Sequence, residues 1–523
     1  MKGKLIGTLV PAVAYSSIAI FYFWVNQAVR PVWLDEALTY YQVVGRSFSE
    51  LIRSFDAGVN LLPYAYFIFP WAVGLFVDLN PLALRLPSLI FGVCALFVIH
   101  QILCKEFGGL IAFTSVFFTF FVTSEFQGYL AEARPYSMYT LAAGIHLSTA
   151  LTLSRVDGKK AWWLNVLTAA FFPSIHYVGL VYSFALAATL VVVGGGLKKS
   201  LAKVSSFVVG WLLFVVVHAR LLSAIFSGQS LSDPDAFARP SLTKAAMEAN
   251  QFFDLPAEIS VCMIAVMAIS VIFRLRYSVG MQDLKEFKLE FPSNFLIGAC
   301  VAWLLVPVGL KLIAAFGFFN LTVPRYLLPT LIANAIGVGL FISVCCQIAE
   351  QQIDANDAKH GFLRYKRFAI PAVIALLVFF AIAENIGIQR RVVASGRVEG
   401  KNVFSEKLLI QDQGTVPFLT TDAHNFFAYA YHTSADLDRN VSLIVDDAAI
   451  DRWRHFAPQI VYVALNELPS MKGSYHLCVK KSTSGEKSPF AELETRLATT
   501  GHRVREVRTS DEQTLYYVGN GDQ

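Results

Sequence analysis

Between Leu5 and Trp24 the chain reads LIGTLVPAVAYSSIAIFYFW without one charged residue, and runs of this kind recur almost to Asn385. A helix needs about 20 mostly apolar residues to cross the roughly 30 Å hydrocarbon core of a bilayer. In lipid the backbone must satisfy its own hydrogen bonds, so such runs dictate helices. The composition agrees: over 523 residues, 55% are hydrophobic and 15% charged, with mean hydropathy +0.53. Soluble domains carry about 25% charged residues, so a large soluble enzyme is excluded.

Candidate spans are Leu5 to Trp24, Leu82 to Leu103, Leu110 to Thr123, Tyr136 to Ser154, Ala161 to Ile175, Val178 to Leu197, Ser205 to Ser227, Ile259 to Phe273, Phe295 to Phe316, Tyr326 to Cys346 and Phe368 to Asn385. That makes roughly 11 spans. Short cytoplasmic loops should collect Lys and Arg. With Lys2 and Lys4 inside, so do Lys105; Arg155, Lys159 and Lys160; Lys198, Lys199 and Lys203; Arg274, Arg276, Lys285 and Lys288; and Lys359, Arg364, Lys366 and Arg367. The alternation requires that Asn60 to Val77 does not cross, which predicts an interfacial or re-entrant helix on the outer side. The basic start followed by a long apolar run, with no small-residue cleavage site, reads as an uncleaved first span.

An odd number of spans puts the region after Asn385 outside, in the periplasm of a Gram-negative cell. Strand-like runs (SLIVDD from Ser442, QIVYVALNEL from Gln459, TLYYVG from Thr514) alternate there with helix-like ones (AAIDRWRHFA and FAELETRLATT). The fold class expected is therefore an all-α polytopic membrane domain with juxtamembrane helices, residues 1–387, followed by a small extracytoplasmic α/β domain, residues 388–523. The tail contains no nucleophile elbow, P-loop or dinucleotide fingerprint. Its one cysteine, Cys478, leaves it without an internal disulfide. The net charge of +5 is small and scattered, which argues against a nucleic-acid partner.

Most polar oddities of the membrane region fall on the outer side. The first outer loop carries RPVWLDEALTYY with Asp35 and Glu36, and the turn EFQGYLAEARPYSMY brings Glu125, Glu132, Arg134 and Tyr136. FPSIHY supplies His176, and FGFFNLTVPRYLLP supplies Arg325 and Tyr326. Each has a plainer reading: a solvated turn for Asp35 and Glu36, snorkelling anchors for Arg134 and Arg325, a satisfied interfacial histidine for His176, and a local ion pair between Glu132 and Arg134. Their coincidence on one side favours a site, because ionisable groups at membrane depth are costly and are kept for function. The loop from Phe226 to Asp254 lies outside in this topology and reads either as a lid or as a connector.

The order WLDEALTYY, PYAYFIFPWAVGLF, LALRLPSLIFGVCALFVIH, AEARPYSMYTL, IHY and PRYLLP resembles that of the dolichyl-phosphate-mannose protein mannosyltransferase superfamily. These are membrane-embedded GT-C glycosyltransferases, among them the lipid A aminoarabinose transferases, and the resemblance spans about Leu5 to Asn385. It implies an inverting transfer of a sugar from a polyprenyl-phosphate donor to a lipid, glycan or protein acceptor on the outer face of the inner membrane. Asp35 matches the catalytic aspartate of the family. The resemblance makes Arg134, Arg325 and Tyr326 candidates to hold the donor phosphate, with Glu132, His176 and Tyr136 in support. Glu36 and His176 are each open to orienting Asp35 or holding a divalent ion, and no cofactor is certain. The chain departs from the family ahead of the aromatic helix, where His-Pro-Pro or Lys-Pro-Pro is common and Asn60-Leu61-Leu62-Pro63-Tyr64 stands instead.

Two other classes compete. A transporter or flippase of lipid-linked saccharides should show internal repeats and ionisable or broken helices near mid-membrane; no repeat is visible and the polar residues sit at the outer edge. A catalytically silent assembly protein acting through its tail would tolerate replacement of Asp35, Arg134 and Arg325.

Overall fold

Apolar runs become helices here even across Pro11, Pro87 and Pro307, because a backbone in apolar surroundings has to bond to itself, and polar or glycine punctuation ends them. The computed structural model describes residues 2–57, 59–60, 62–122, 124–194, 196–226, 292–315, 324–356, 386–387, 416–432, 441–445, 447, 449–471, 473–480, 493, 495, 497–510 and 513–520. In chain order the helices are α1 (Lys2–Val29), α2 (Leu34–Val43), α3 (Phe48–Ser54), α4 (Ile68–Gly74), α5 (Pro81–Phe107), α6 (Gly109–Val122), α7 (Ser124–Leu130), α8 (Tyr136–Arg155), α9 (Lys159–Phe171), α10 (Gly179–Val193), α11 (Leu197–Val217), α12 (Ala219–Phe226), α13 (Asn294–Ala315), α14 (Pro329–Asn356), α15 (Ala423–His432) and α16 (Ile450–Phe456). The strands are β1 (Phe418–Thr420), β2 (Val441–Val445), β3 (Tyr462–Ala464), β4 (Tyr475–Lys480), β5 (His502–Thr509) and β6 (Gln513–Asn520).

Among the described residues three helices are long and apolar enough to cross a membrane: Pro81–Phe107, Leu197–Val217 and Asn294–Leu312, with mean hydropathies of 2.3, 2.0 and 2.1. Shorter apolar helices are Gly109–Phe121, Gly179–Val193 and Pro329–Val344. The expected spans at Ile259–Phe273 and Phe368–Asn385, and the outer loop beyond Phe226, lie outside the described residues. Within Asn60 to Val77 the only α-helix is α4, whose seven residues rise about 10 Å. It is too short to cross, and Phe76 beyond its end is 86% exposed.

The chain forms two compact units. The first comprises Met1–Asn26, Arg85–His218 and Phe237–Val393; the second comprises Gln27–Leu84, Ala219–Ala236 and Ala394–Gln523. The second unit thus joins the segment after α1 to the tail.

In the first unit α8 packs on α9, α9 on α11, α10 on α13, and α14 on α6 and α13. Small residues allow the closest approaches. A Cβ on Gly210 of α11 would stand 2.6 Å from the Val166 carbonyl and 2.7 Å from the Ala169 Cβ of α9. Polar side chains inside the apolar helices are satisfied sideways. His146 on α8 bonds Thr168 at 3.0 Å and Ser183 at 2.9 Å, and Asn165 donates to Ser206 at 2.8 Å. At the other end, Glu106 accepts from Arg155 and from the Ser293 N–H at 3.1 Å, tying the ends of α5 and α8 to the start of α13. Gly108, with φ of 85°, turns the chain from α5 into α6, a conformation that glycine adopts without penalty.

The second unit is built on a six-stranded sheet of order β3-β2-β1-β4-β6-β5, in which β1, β2, β3 and β4 run parallel and β6 is antiparallel to β4 and β5. Strands β2, β3 and β6 fall on the runs expected from Ser442, Gln459 and Thr514. Successive residues face opposite cores. Phe418, Val441 and Leu443 pack with Phe427 and Phe456, and also with Val32, Ala37 and Tyr41 in and just before α2. Leu419, Ile444 and Leu477 pack on the far side with Leu493 and Leu497.

Candidate functional site

The residues singled out from the sequence fall on both units. In the first, the turn between α7 and α8 carries Glu132, Arg134 and Tyr136, the turn between α9 and α10 carries His176, and a 3₁₀ turn at Pro324–Leu327 carries Arg325 and Tyr326. Tyr136 opens α8 directly after Pro135, whose fixed φ suits the start of a helix.

These turns converge. The ring of His176 lies 4.5 Å from that of Tyr326, 5.2 Å from Tyr139 and 6.4 Å from Tyr136. The Arg325 guanidinium stands over Tyr326 at 5.6 Å and over Tyr136 at 5.9 Å, within cation–π range. The Tyr139 hydroxyl reaches the Tyr326 carbonyl at 3.5 Å, and Tyr182 bonds Thr330 at 2.7 Å, fixing the 3₁₀ turn against α8 and α10. Ser88 of α5 donates to the Arg134 carbonyl at 3.2 Å. Glu132 and Arg134 are each only 6% exposed.

His176 is the most informative member. Burial first, then the charges of Arg134 and Arg325, push its pKa down to about 3, so it is neutral at physiological pH. Its Nδ1 accepts from the Val178 N–H at 3.4 Å, which leaves the ring proton on Nε2. That Nε2 is buried and meets no acceptor among the described residues. Among the described residues the cluster therefore brings together two guanidiniums, a neutral N–H donor and the carboxylate of Glu132. Such surroundings favour an anion over a divalent cation. Among the described residues no group of three or more His, Cys, Asp and Glu could hold a metal ion.

Sequence reasoning passed over Arg85. It sits one turn before Ser88 on α5 and is 1% exposed. A fully buried guanidinium stays charged and demands compensation. The available signal was an arginine inside an apolar run, LALRLPSL, where ionisable groups are kept for a reason.

In the second unit Asp35 and Glu36 occupy the first turn of α2, where carboxylates suit the helix dipole. Glu36 is 1% exposed and turns back to accept from the Trp33 N–H at 3.5 Å, a helix-start contact. Asp35 is half-buried, and its carbonyl accepts from the Thr39 hydroxyl at 3.0 Å. The two adjacent acids thus differ: Glu36 is buried and turned to its own helix start, whereas Asp35 is only half-buried, with its Oδ2 out of reach of solvent. In the segment that lacks His-Pro-Pro, Asn60 is buried and donates to Gln42 at 2.8 Å, so it serves structure. The side chain of Glu125 lies outside the described residues.

No family model matches the sequence, and no curated protein matches it. Solved structures do. ArnT from Cupriavidus metallidurans bound to undecaprenyl phosphate aligns over 97% of both chains with a TM-score of 0.55 at 10% identity. The apo state of the same protein gives 0.55 at 11%, again over 97% of both chains. The chain shares the fold of ArnT. The apo oligosaccharyltransferase of Archaeoglobus fulgidus also matches, at a TM-score of 0.49 and 11% identity, over 80% of this chain and 64% of that one. At these identities the GT-C likeness speaks for architecture, and the chemistry has to be argued from the residues.

Proposed function

We propose that this GT-C chain is an inverting glycosyltransferase that takes a sugar from a polyprenyl-phosphate donor and passes it to an acceptor on the outer face of the cytoplasmic membrane. The observation that carries the reading is the convergence of Arg134 and Arg325 on a neutral, donor-bearing His176. A phosphate monoester leaving group needs no proton, but its growing negative charge needs fixed positive partners. Arginine suits that task because its planar fork grips two oxygens at once. His176 Nε2–H adds a third donor, and Tyr136 and Tyr326 hold the Arg325 guanidinium from its faces. This assignment favours a phosphate-donor role for His176 over a metal-holding one.

Asp35 is the proposed base. The acceptor hydroxyl oxygen attacks the anomeric carbon, its proton passes to the Asp35 carboxylate, and the bond between that carbon and the phosphate oxygen breaks, with the electron pair leaving on the lipid phosphate. Glu36, engaged at the helix start, shapes the first turn of α2 and thereby Asp35. On this reading the chain lies in the inner membrane with roughly 11 spans, its N-terminus cytoplasmic and its tail periplasmic. The sugar and the acceptor are set by contacts outside these motifs.

The reading is tested by purifying the full chain in mild detergent and identifying co-purifying lipid by mass spectrometry, alongside Arg325→Ala. A polyprenyl-phosphate sugar present in the wild type and lost in the variant is expected. Equal lipid occupancy in both would remove the arginine pair as the phosphate site.

A further inference from the structure

The tail domain is the part of the chain for which the reading above supplies no task, and its packing suggests one. Within the second unit, Val32, Ala37 and Tyr41 of the first outer loop are buried to within 1% in the core that the sheet builds with α15 and α16. The Tyr40 ring meets Tyr431 edge-on at 4.9 Å, and Tyr41 meets Phe427 at 5.5 Å. Helix α2 is therefore one layer of the α/β domain, although almost 400 residues separate the two in sequence.

The polar contacts lie at both ends of α2. At its start, His432, the last residue of α15, donates from Nε2 to the Val32 carbonyl at 3.1 Å. Val32 directly precedes Trp33, which begins the helix, and stands three residues before Asp35. Past its end, Arg46 donates to the carbonyls of His455 (3.1 Å) and Phe456, the last residues of α16, while its own carbonyl accepts from Trp71 Nε1 at 2.8 Å. His455 in turn donates from Nε2 to the Arg53 carbonyl at 3.1 Å. A guanidinium on the carbonyl end of a helix is favoured by the dipole.

Because this contact set touches the backbone on either side of the acid-bearing turn, we propose that His432 is a positioning residue for Asp35 and that the tail domain's task is to hold α2 in place. This rests on the reading of Asp35 as the base. A carboxylate must sit within hydrogen-bond reach of the proton it removes, and misplacement by about 1 Å costs on the order of a hundredfold in rate. A ten-residue helix has too few internal bonds to hold that precision alone, and the sheet supplies the missing rigidity.

The test uses the full chain in lipid nanodiscs and compares the wild type with His432→Phe and His432→Gln. Amide hydrogen exchange over residues 34–37 should rise about tenfold or more in His432→Phe while β2 stays protected, and return in His432→Gln, whose amide can donate to the same carbonyl. In parallel, turnover of the lipid-linked sugar that co-purifies with the full chain should fall about tenfold at unchanged KM in His432→Phe and recover in His432→Gln. Unchanged exchange at 34–37 in His432→Phe overturns the positioning role, as does failure of His432→Gln to restore it while the sheet remains protected. Absence of any co-purifying lipid-linked sugar in the wild type, with the exchange pattern as expected, counts against the glycosyltransferase reading alone.

Discussion

His176 and Tyr326 stand with their ring centres 4.5 Å apart and their planes tilted by 45°, bringing the α9–α10 turn against the 3₁₀ turn that carries Arg325. Stacking fixes the imidazole, and the Val178 N–H fixes its tautomer. Replacement by Phe keeps the ring contact and removes the donor. His176→Phe should therefore weaken binding of undecaprenyl phosphate by roughly tenfold or more, since a hydrogen bond to a charged group is worth about 1.5–3 kcal/mol. His176→Gln should retain most of the affinity. Titration of the purified protein with undecaprenyl phosphate, followed by intrinsic fluorescence, reads both.

The same residue predicts a pH dependence of stability. Its folded-state pKa is lowered to about 3 from an unfolded value of about 6.5. Between those values the unfolded chain binds a proton that the folded one refuses, so this group's contribution is flat above about pH 6.5 and destabilises progressively as pH falls towards 3. At pH 5 the deficit is on the order of 2 kcal/mol. Thermal unfolding from pH 8 to pH 5 should show a steeper decline for the wild type than for His176→Gln; parallel curves would contradict the depressed pKa.

Asp35 and Glu36 are adjacent, yet their variants should fail differently. Asp35→Asn should leave the helix intact and lower sugar transfer by about 10²–10⁴-fold, the usual worth of a general base. Glu36→Gln retains an acceptor for the Trp33 N–H and should act mainly through stability, by about 1 kcal/mol. Separate measurement of turnover and thermal midpoint distinguishes the two, and full transfer by Asp35→Asn would remove it as the base.

What the sequence makes legible here follows from which forces are local. Helix ends are visible because basic residues interrupt the apolar runs at Arg155 and Lys159, and glycines do so at Gly194 and Gly196. The short helix within Asn60–Val77 agrees with the charge pattern, which leaves no room for a span there. That Arg134, His176 and Arg325 fall in turns between apolar runs was readable too, but not their convergence, which depends on the way α8, α10 and the 3₁₀ turn pack. Arg85 escaped notice because one arginine near the start of a span looks like a snorkelling anchor until its burial is seen. The partnership of α2 with the sheet is encoded only in Ala37 and Tyr41, four residues apart on one helical face, and such a stripe does not name its partner.

Packing of α11 on α9 supplies a prediction independent of the chemistry. The backbone of α9 comes so close to Gly210 that a Cβ there would overlap the Val166 carbonyl and the Ala169 methyl. Backbone cannot move aside as a long side chain can, so Gly210→Val has to separate the two helices. Overpacking of this kind costs about 1–3 kcal/mol, and the separation would also strain the neighbouring bond from Asn165 to Ser206. The variant should still insert into membranes, since its hydropathy rises, but its thermal midpoint in detergent should drop by several degrees. Gly309 offers the control: it lies on α13 with no atom of the described residues beyond its own helix within 4 Å of a built Cβ, so Gly309→Ala should leave the midpoint unchanged or raise it, glycine being the weaker helix former by about 1 kcal/mol. Equal midpoints for Gly210→Val and Gly309→Ala would show that α9 and α11 do not pack this closely.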